Sequence, residues 1–87
     1  IIITTPIPAG TNNLYEADSF FPVFENFKKH ILTDNPNTIW LDYSRNSYFS
    51  DNYSFFCDGA HLNFAGSKEF IRVLQEDLRK IGINQKL

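Results

Sequence analysis

The residues with the clearest chemistry lie in one stretch, Phe56-Cys57-Asp58-Gly59-Ala60-His61-Leu62-Asn63-Phe64-Ala65-Gly66, where a carboxylate precedes an imidazole by three positions. A carboxylate that accepts a hydrogen bond from one ring nitrogen fixes the tautomer and direction of a histidine. The second nitrogen is then free to take a proton from a nucleophile, and the carboxylate stabilises the imidazolium that forms. Gly59 lets the backbone turn tightly between the two groups. Asp58 is therefore the candidate catalytic acid and His61 the candidate base.

Other reactive side chains carry weaker readings. Cys57 stands beside Asp58, whose charge disfavours a thiolate, so a buried or half-buried inert thiol is expected. Ser44, Ser47, Ser50 and Ser54 offer hydroxyls without a nucleophile-elbow context. Asp51, Asp58 and His61 lack the tight patterning of a metal cluster, and neither a metal nor a cofactor is expected. Asp42 falls at the carboxyl end of a predicted parallel strand, the edge where ligands bind in open α/β sheets. It is a candidate substrate contact or a satisfied turn carboxylate. Asn63 is both a candidate substrate contact and an expected helix N-cap, and His30 reads as a helix-end residue.

The elements that must position these groups can be read in order. Ile1 to Thr5 is an apolar, β-branched run without polar alternation, as in a strand covered on both faces. Pro6 and Pro8 end it. Residues 6 to 18 are expected as a loop, of which Pro6 to Tyr15 follows the strand's carboxyl end and can wall a substrate pocket. Phe20, Val23, Phe24, Phe27, Ile31 and Leu32 recur at helical spacing, with Ser19 as the expected N-cap and Pro22 in the first turn. Thr38 to Asp42 is a second strand, so the first part of the chain predicts a right-handed βαβ unit with parallel strands. Tyr43 to Ala60 has no period, and so long a loop in a compact domain is usually functional or disordered. Its aromatic content argues for order. A last helix is expected from about Phe64 to Ile81, with Phe70, Ile71, Leu74, Leu78 and Ile81 on one face and a Schellman-type stop at Gly82-Ile83.

The chain has 87 residues, 43% hydrophobic and 16% aromatic, with a net charge of −2. So short a chain buries a modest share of its surface, and its single cysteine allows no internal disulfide. Part of the aromatic load is expected to pack against something outside these residues, either further chain or another copy. Lys28-Lys29 and Arg79-Lys80 are the only basic groupings, each near a predicted helix end, where cations suit the dipole. Nucleic-acid binding would need a clustered basic footprint. No stretch is long and apolar enough for a membrane span. Ile1 reads as a strand entered midway, so chain is expected upstream.

Asp-x-x-His alone arises by chance in many loops. The longer string Asp58-Gly59-Ala60-His61-Leu62-Asn63-x-x-Gly66, set before a terminal helix, resembles the last conserved block of the SGNH (GDSL-type) hydrolases. The order strand, helix, strand, long loop, helix is similar to the C-terminal third of that family's flavodoxin-like fold. The resemblance implies an α/β chain: the C-terminal βαβ-plus-helix part of a three-layer domain with parallel strands, residues 1–87 forming one partial domain. It implies a serine esterase acting on an acyl ester, with Asp58 as triad acid, His61 as base and Gly66 permitting close helix packing. The family's Gly-Asp-Ser nucleophile block and its Gly-x-Asn-Asp block do not occur here. This chain alone is therefore expected to be inactive. Trp40-Leu41-Asp42-Tyr43-Ser44 followed by Phe56-Cys57-Asp58 also resembles SGNH-like proteins of bacterial envelope polysaccharide acylation. That likeness implies O-acyl transfer to or from a carbohydrate, and an extracytoplasmic or cell-envelope site, as an alternative. A non-catalytic SGNH-like binding module is the third expectation.

Overall fold

Strands β1 (Ile2–Thr4) and β2 (Trp40–Asp42) pair in parallel, Ile2 opposite Trp40, Ile3 opposite Leu41 and Thr4 opposite Asp42, in a computed structural model that describes residues 1–83. The Ile2 amide donates to the Ile39 carbonyl at 2.8 Å and the Tyr43 amide to the Thr4 carbonyl at 2.9 Å. Parallel strands need a crossover. Two helices make it here, α1 (Ala9–Ala17) and α2 (Phe20–Asp34). The chain is thus a mixed helix-and-strand fold around a two-stranded parallel sheet.

Helix α1 replaces the loop expected over residues 6 to 18. Gly10, Asn12 and Asn13 are poor helix formers, which is why the sequence reads as a loop. Tertiary bonds override that preference. Asn12 is buried, and its Nδ2 donates to the Ile7 carbonyl at 3.1 Å and the Ser44 carbonyl at 2.9 Å. Only Asp18 and Ser19 separate α1 from α2, so the chain reverses through a left-handed residue: Ser19 has φ 57° and makes no side-chain cap. The capping role expected of Ser19 is not filled.

Side chains alternate across a strand, so the sheet has two distinct faces. On one, Trp40 meets the Phe24 ring edge-on at 6.0 Å and Asp42 meets Lys28. On the other, Leu41 packs against the core of Tyr43, Phe49, Phe70, Leu74 and Leu78. Two strands cover little of α2. Phe21, Phe24, Ile31 and Leu32 are half-buried, while Val23 and Phe27 stand exposed on the outer side of the expected stripe.

Residues 43 to 60, read as aperiodic, contain the short helix α3 (Ser47–Ser50), capped by Asn46, and a 3₁₀ turn at Tyr53–Phe55. They place Phe49 at the centre of the core with no exposed surface. Helix α4 (Phe64–Lys80) starts as expected: Asn63 Oδ1 accepts from the Gly66 amide at 2.8 Å. It ends in a Schellman motif, with Gly82 at φ 89° and the Ile83 amide donating to the Leu78 carbonyl at 2.8 Å. Its buried face is narrower than expected. Phe70, Leu74 and Leu78 are buried, whereas Ile71 and Ile81 are exposed because the core contacts only one stripe. Among the described residues no helix is long and apolar enough to cross a membrane.

Candidate active site

The Asp58 and His61 side chains sit on a small hairpin rather than an open loop. Phe56 and Leu62 form an antiparallel bridge, and inside it the Cys57 amide donates to the His61 carbonyl at 3.0 Å. At the tip, Asp58 Oδ1 accepts from the amides of Ala60 at 2.7 Å and His61 at 2.8 Å, an Asx-type turn. The same carboxylate meets His61 Nδ1, at 2.9 Å from Oδ2 and 3.0 Å from Oδ1. The Ala60 amide, and next the His61 ring, hold the Asp58 carboxyl below its ordinary range, so it is ionised at neutral pH. An ionised acceptor at Nδ1 favours the tautomer with the proton there and leaves the Nε2 lone pair available. Nε2 makes no hydrogen bond among the described residues, and the ring is 74% exposed.

Two contacts fasten this hairpin and the 3₁₀ turn before it to the first crossover helix. Thr11 Oγ1 donates to the Gly59 carbonyl at 2.7 Å, and the Gly10 amide donates to Tyr53 Oη at 3.2 Å. On the far side, Gly66 lets α4 lie directly on the 3₁₀ turn: a Cβ there would fall 2.9 Å from the Phe55 carbonyl carbon and closer still to its oxygen. The close-packing role expected of Gly66 is what the backbone contact requires. Gly10 and Thr11 fall in the stretch expected to wall a pocket, but their bonds to Tyr53 and Gly59 are not legible in the sequence. Nothing local in the sequence joins Thr11 to a glycine 48 positions later.

The remaining candidates have other placements. Asp42 accepts from the Ser44 amide at 3.0 Å and Ser44 Oγ at 2.6 Å through Oδ1, and from Lys28 Nζ at 3.1 Å through Oδ2. Burial alone would raise its pKa, but the Ser44 and Lys28 bonds outweigh that and hold it below the ordinary value. Asn63 gives Nδ2 to the Ser54 carbonyl at 2.6 Å and Oδ1 to the helix cap. Both candidate substrate contacts are thus occupied by the protein's own groups. Cys57 is exposed, against the expectation of burial, because the narrow hairpin has no interior; its thiol lies 3.5 Å from the His61 carbonyl oxygen. Ser44 and Ser50 are buried, their hydroxyls bonded to Asp42 and to the Ser44 carbonyl, and Ser54 Oγ bonds Asn52. His30 is exposed near the end of α2.

No group of three or more metal-ligating side chains forms among the described residues. What the arrangement can do is accept a proton at an exposed, oriented imidazole backed by a carboxylate. Compared with family models, curated proteins and solved structures, the chain has no match.

Proposed function

We propose that this chain is the acid–base arm of a serine-type ester hydrolase of SGNH kind. Its strands and helices form the C-terminal part of a flavodoxin-like parallel sheet, and the nucleophilic serine and oxyanion donors belong to chain outside residues 1–87. One observation carries the reading: the Asp58 carboxylate meets His61 Nδ1 at 2.9 Å while Nε2, on an exposed ring, makes no hydrogen bond among the described residues.

In the proposed reaction, Nε2 takes the proton of the serine hydroxyl as its oxygen attacks the acyl carbonyl. Asp58 keeps the ring aimed and stabilises the imidazolium. That proton passes to the departing alcohol, and the acyl-enzyme is cleared by water through the same base. Acyl transfer to a carbohydrate hydroxyl would use the same first half.

The test uses the intact protein that carries this segment, with a short-chain ester as substrate. His61→Ala should lower kcat by several decades, since removing one member of a triad costs that much. Asp58→Asn should also lower it strongly, by favouring the wrong tautomer. A His61→Ala rate within a factor of about three of the parent would rule the assignment out. Residues 1–87 alone should show no turnover.

A further inference from the structure

Both members of the dyad stand largely in water: the His61 side chain is 74% exposed and that of Asp58 53% exposed. The hydrogen bonds that orient one to the other all lie within residues 57 to 61. Such a local set fixes the angle between ring and carboxylate. It does not fix where the pair stands on the molecule. The base of the hairpin is held by Phe56 and Leu62, which pack against the core. Beyond them, among the described residues, one hydrogen bond joins residues 58 to 61 to another element, from Thr11 Oγ1 to the Gly59 carbonyl at 2.7 Å. We propose that Thr11 is the positioning residue of the dyad, its hydroxyl holding the imidazole where the serine hydroxyl must meet it. The inference rests on the hydrolase reading above and adds the group that sets the place of its base.

Thr11 can fill this role because α1 is itself fixed. The next residue, Asn12, is buried and gives Nδ2 to the carbonyls of Ile7 and of Ser44, just past the carboxyl end of β2. Consecutive helical residues stand about 100° apart around the axis. Asn12 therefore faces the segment that follows the sheet while Thr11 faces the hairpin. Helix α1 is a strut: position passes from the carboxyl end of the parallel strands through Asn12 and Thr11 to the Gly59 carbonyl.

That carbonyl lies between the two dyad residues, so a shift there carries both. The approach is also close. A Cβ at position 59 would come within 3.2 Å of Thr11 Oγ1, and glycine leaves the hydroxyl its room. Proton transfer needs the base within roughly 2.6–3.2 Å of its donor, and a misplacement of about 1 Å can cost about a hundredfold in rate. A single bond at the tip has that leverage.

Two measurements test the role. The first uses the intact protein and a short-chain ester. Thr11→Val keeps the branched shape and removes the donor. It should lower kcat about 10–100-fold. KM should stay within about twofold, because the substrate's own contacts are untouched. Thr11→Ser remakes the hydrogen bond and should return kcat to within about threefold of the parent. Equal losses in the two variants would assign the effect to side-chain packing, and an unchanged Thr11→Val rate would show that the hairpin keeps its place without the bond. Either result overturns the proposal.

The second measurement is independent of catalysis. In the ¹⁵N-labelled 87-residue chain, amide order parameters at Gly59, Ala60 and His61 should fall in Thr11→Val from about 0.85 toward about 0.6. They should recover in Thr11→Ser, with Phe49 and Leu74 rigid throughout. An unchanged tip, or a loss of order spread over the core, refutes the positioning role. The two readings also fail separately. A tip loosened by Thr11→Val in a protein whose turnover survives His61→Ala would discard the hydrolase, and turnover that needs His61 but ignores Thr11 would discard the positioning residue.

Discussion

At Asp58 one carboxylate closes a backbone turn and holds a ring nitrogen, so the groups that orient His61 lie within three residues of it. Both partners are exposed, so water screens the pair and it adds little to stability; its value is directional. Tyr43 shows the opposite balance. Its buried hydroxyl donates to Asp77 Oδ2 at 2.6 Å, and burial, then the Asp77 bond and charge, push the phenol above its ordinary value of 10.0. Because the folded value is raised, the stabilisation is complete below about pH 10 and is lost as pH climbs through the folded value. Urea unfolding should therefore show stability falling from about pH 10 upward. Tyr43→Phe should cost about 1 kcal/mol at neutral pH and flatten that alkaline decline. An equal alkaline slope in the variant would assign the effect to other groups.

At the level of elements, the Asp58 hairpin is tied to α1 through Thr11, and the 3₁₀ turn that leads into it lies against α4 at Gly66. Gly66→Ala forces a methyl against the Phe55 backbone, which a flexible side chain cannot relieve. It should destabilise by about 1–3 kcal/mol, as overpacking does, although alanine is the better helix former. A variant as stable as the parent in thermal melts would show that the 3₁₀ turn can move aside. This is also the scale at which the sequence was most and least informative. Asp58 with His61, Asn63 with Gly66, and Gly82 with Ile83 are contacts between near neighbours, so spacing alone exposes them. Helix α1 was illegible because Asn12 gains its helix-compatible bonds from Ser44, far along the chain. The outer stripe of α2 misled for a related reason: periodicity marks which residues are apolar, and not how much sheet lies opposite to cover them.

For the molecule as a whole, the fold is a slab with extents of 33 × 33 × 15 Å, and Phe49 and Pro6 are its largest fully buried side chains. Stability therefore concentrates in few places. Phe49→Ala should cost about 3–5 kcal/mol, a large part of what a chain this size holds, at roughly 0.05–0.15 kcal/mol per residue. Val23→Ala, at a site 69% exposed, should stay within about 0.5 kcal/mol. Comparable losses in denaturant melts of the two variants would mean that the core lies elsewhere. The sheet's asymmetry has one more effect. The sole indole, Trp40, is bound through Nε1 to Thr4 Oγ1 at 2.7 Å on the α2 side, while Tyr43 and Phe49 each meet Phe70 edge-on on the α4 side. Its fluorescence is thus a witness to one half only: loosening of α2 would change the emission while the α4 half stayed optically silent, and near-ultraviolet dichroism is needed to hear from the half that carries the imidazole.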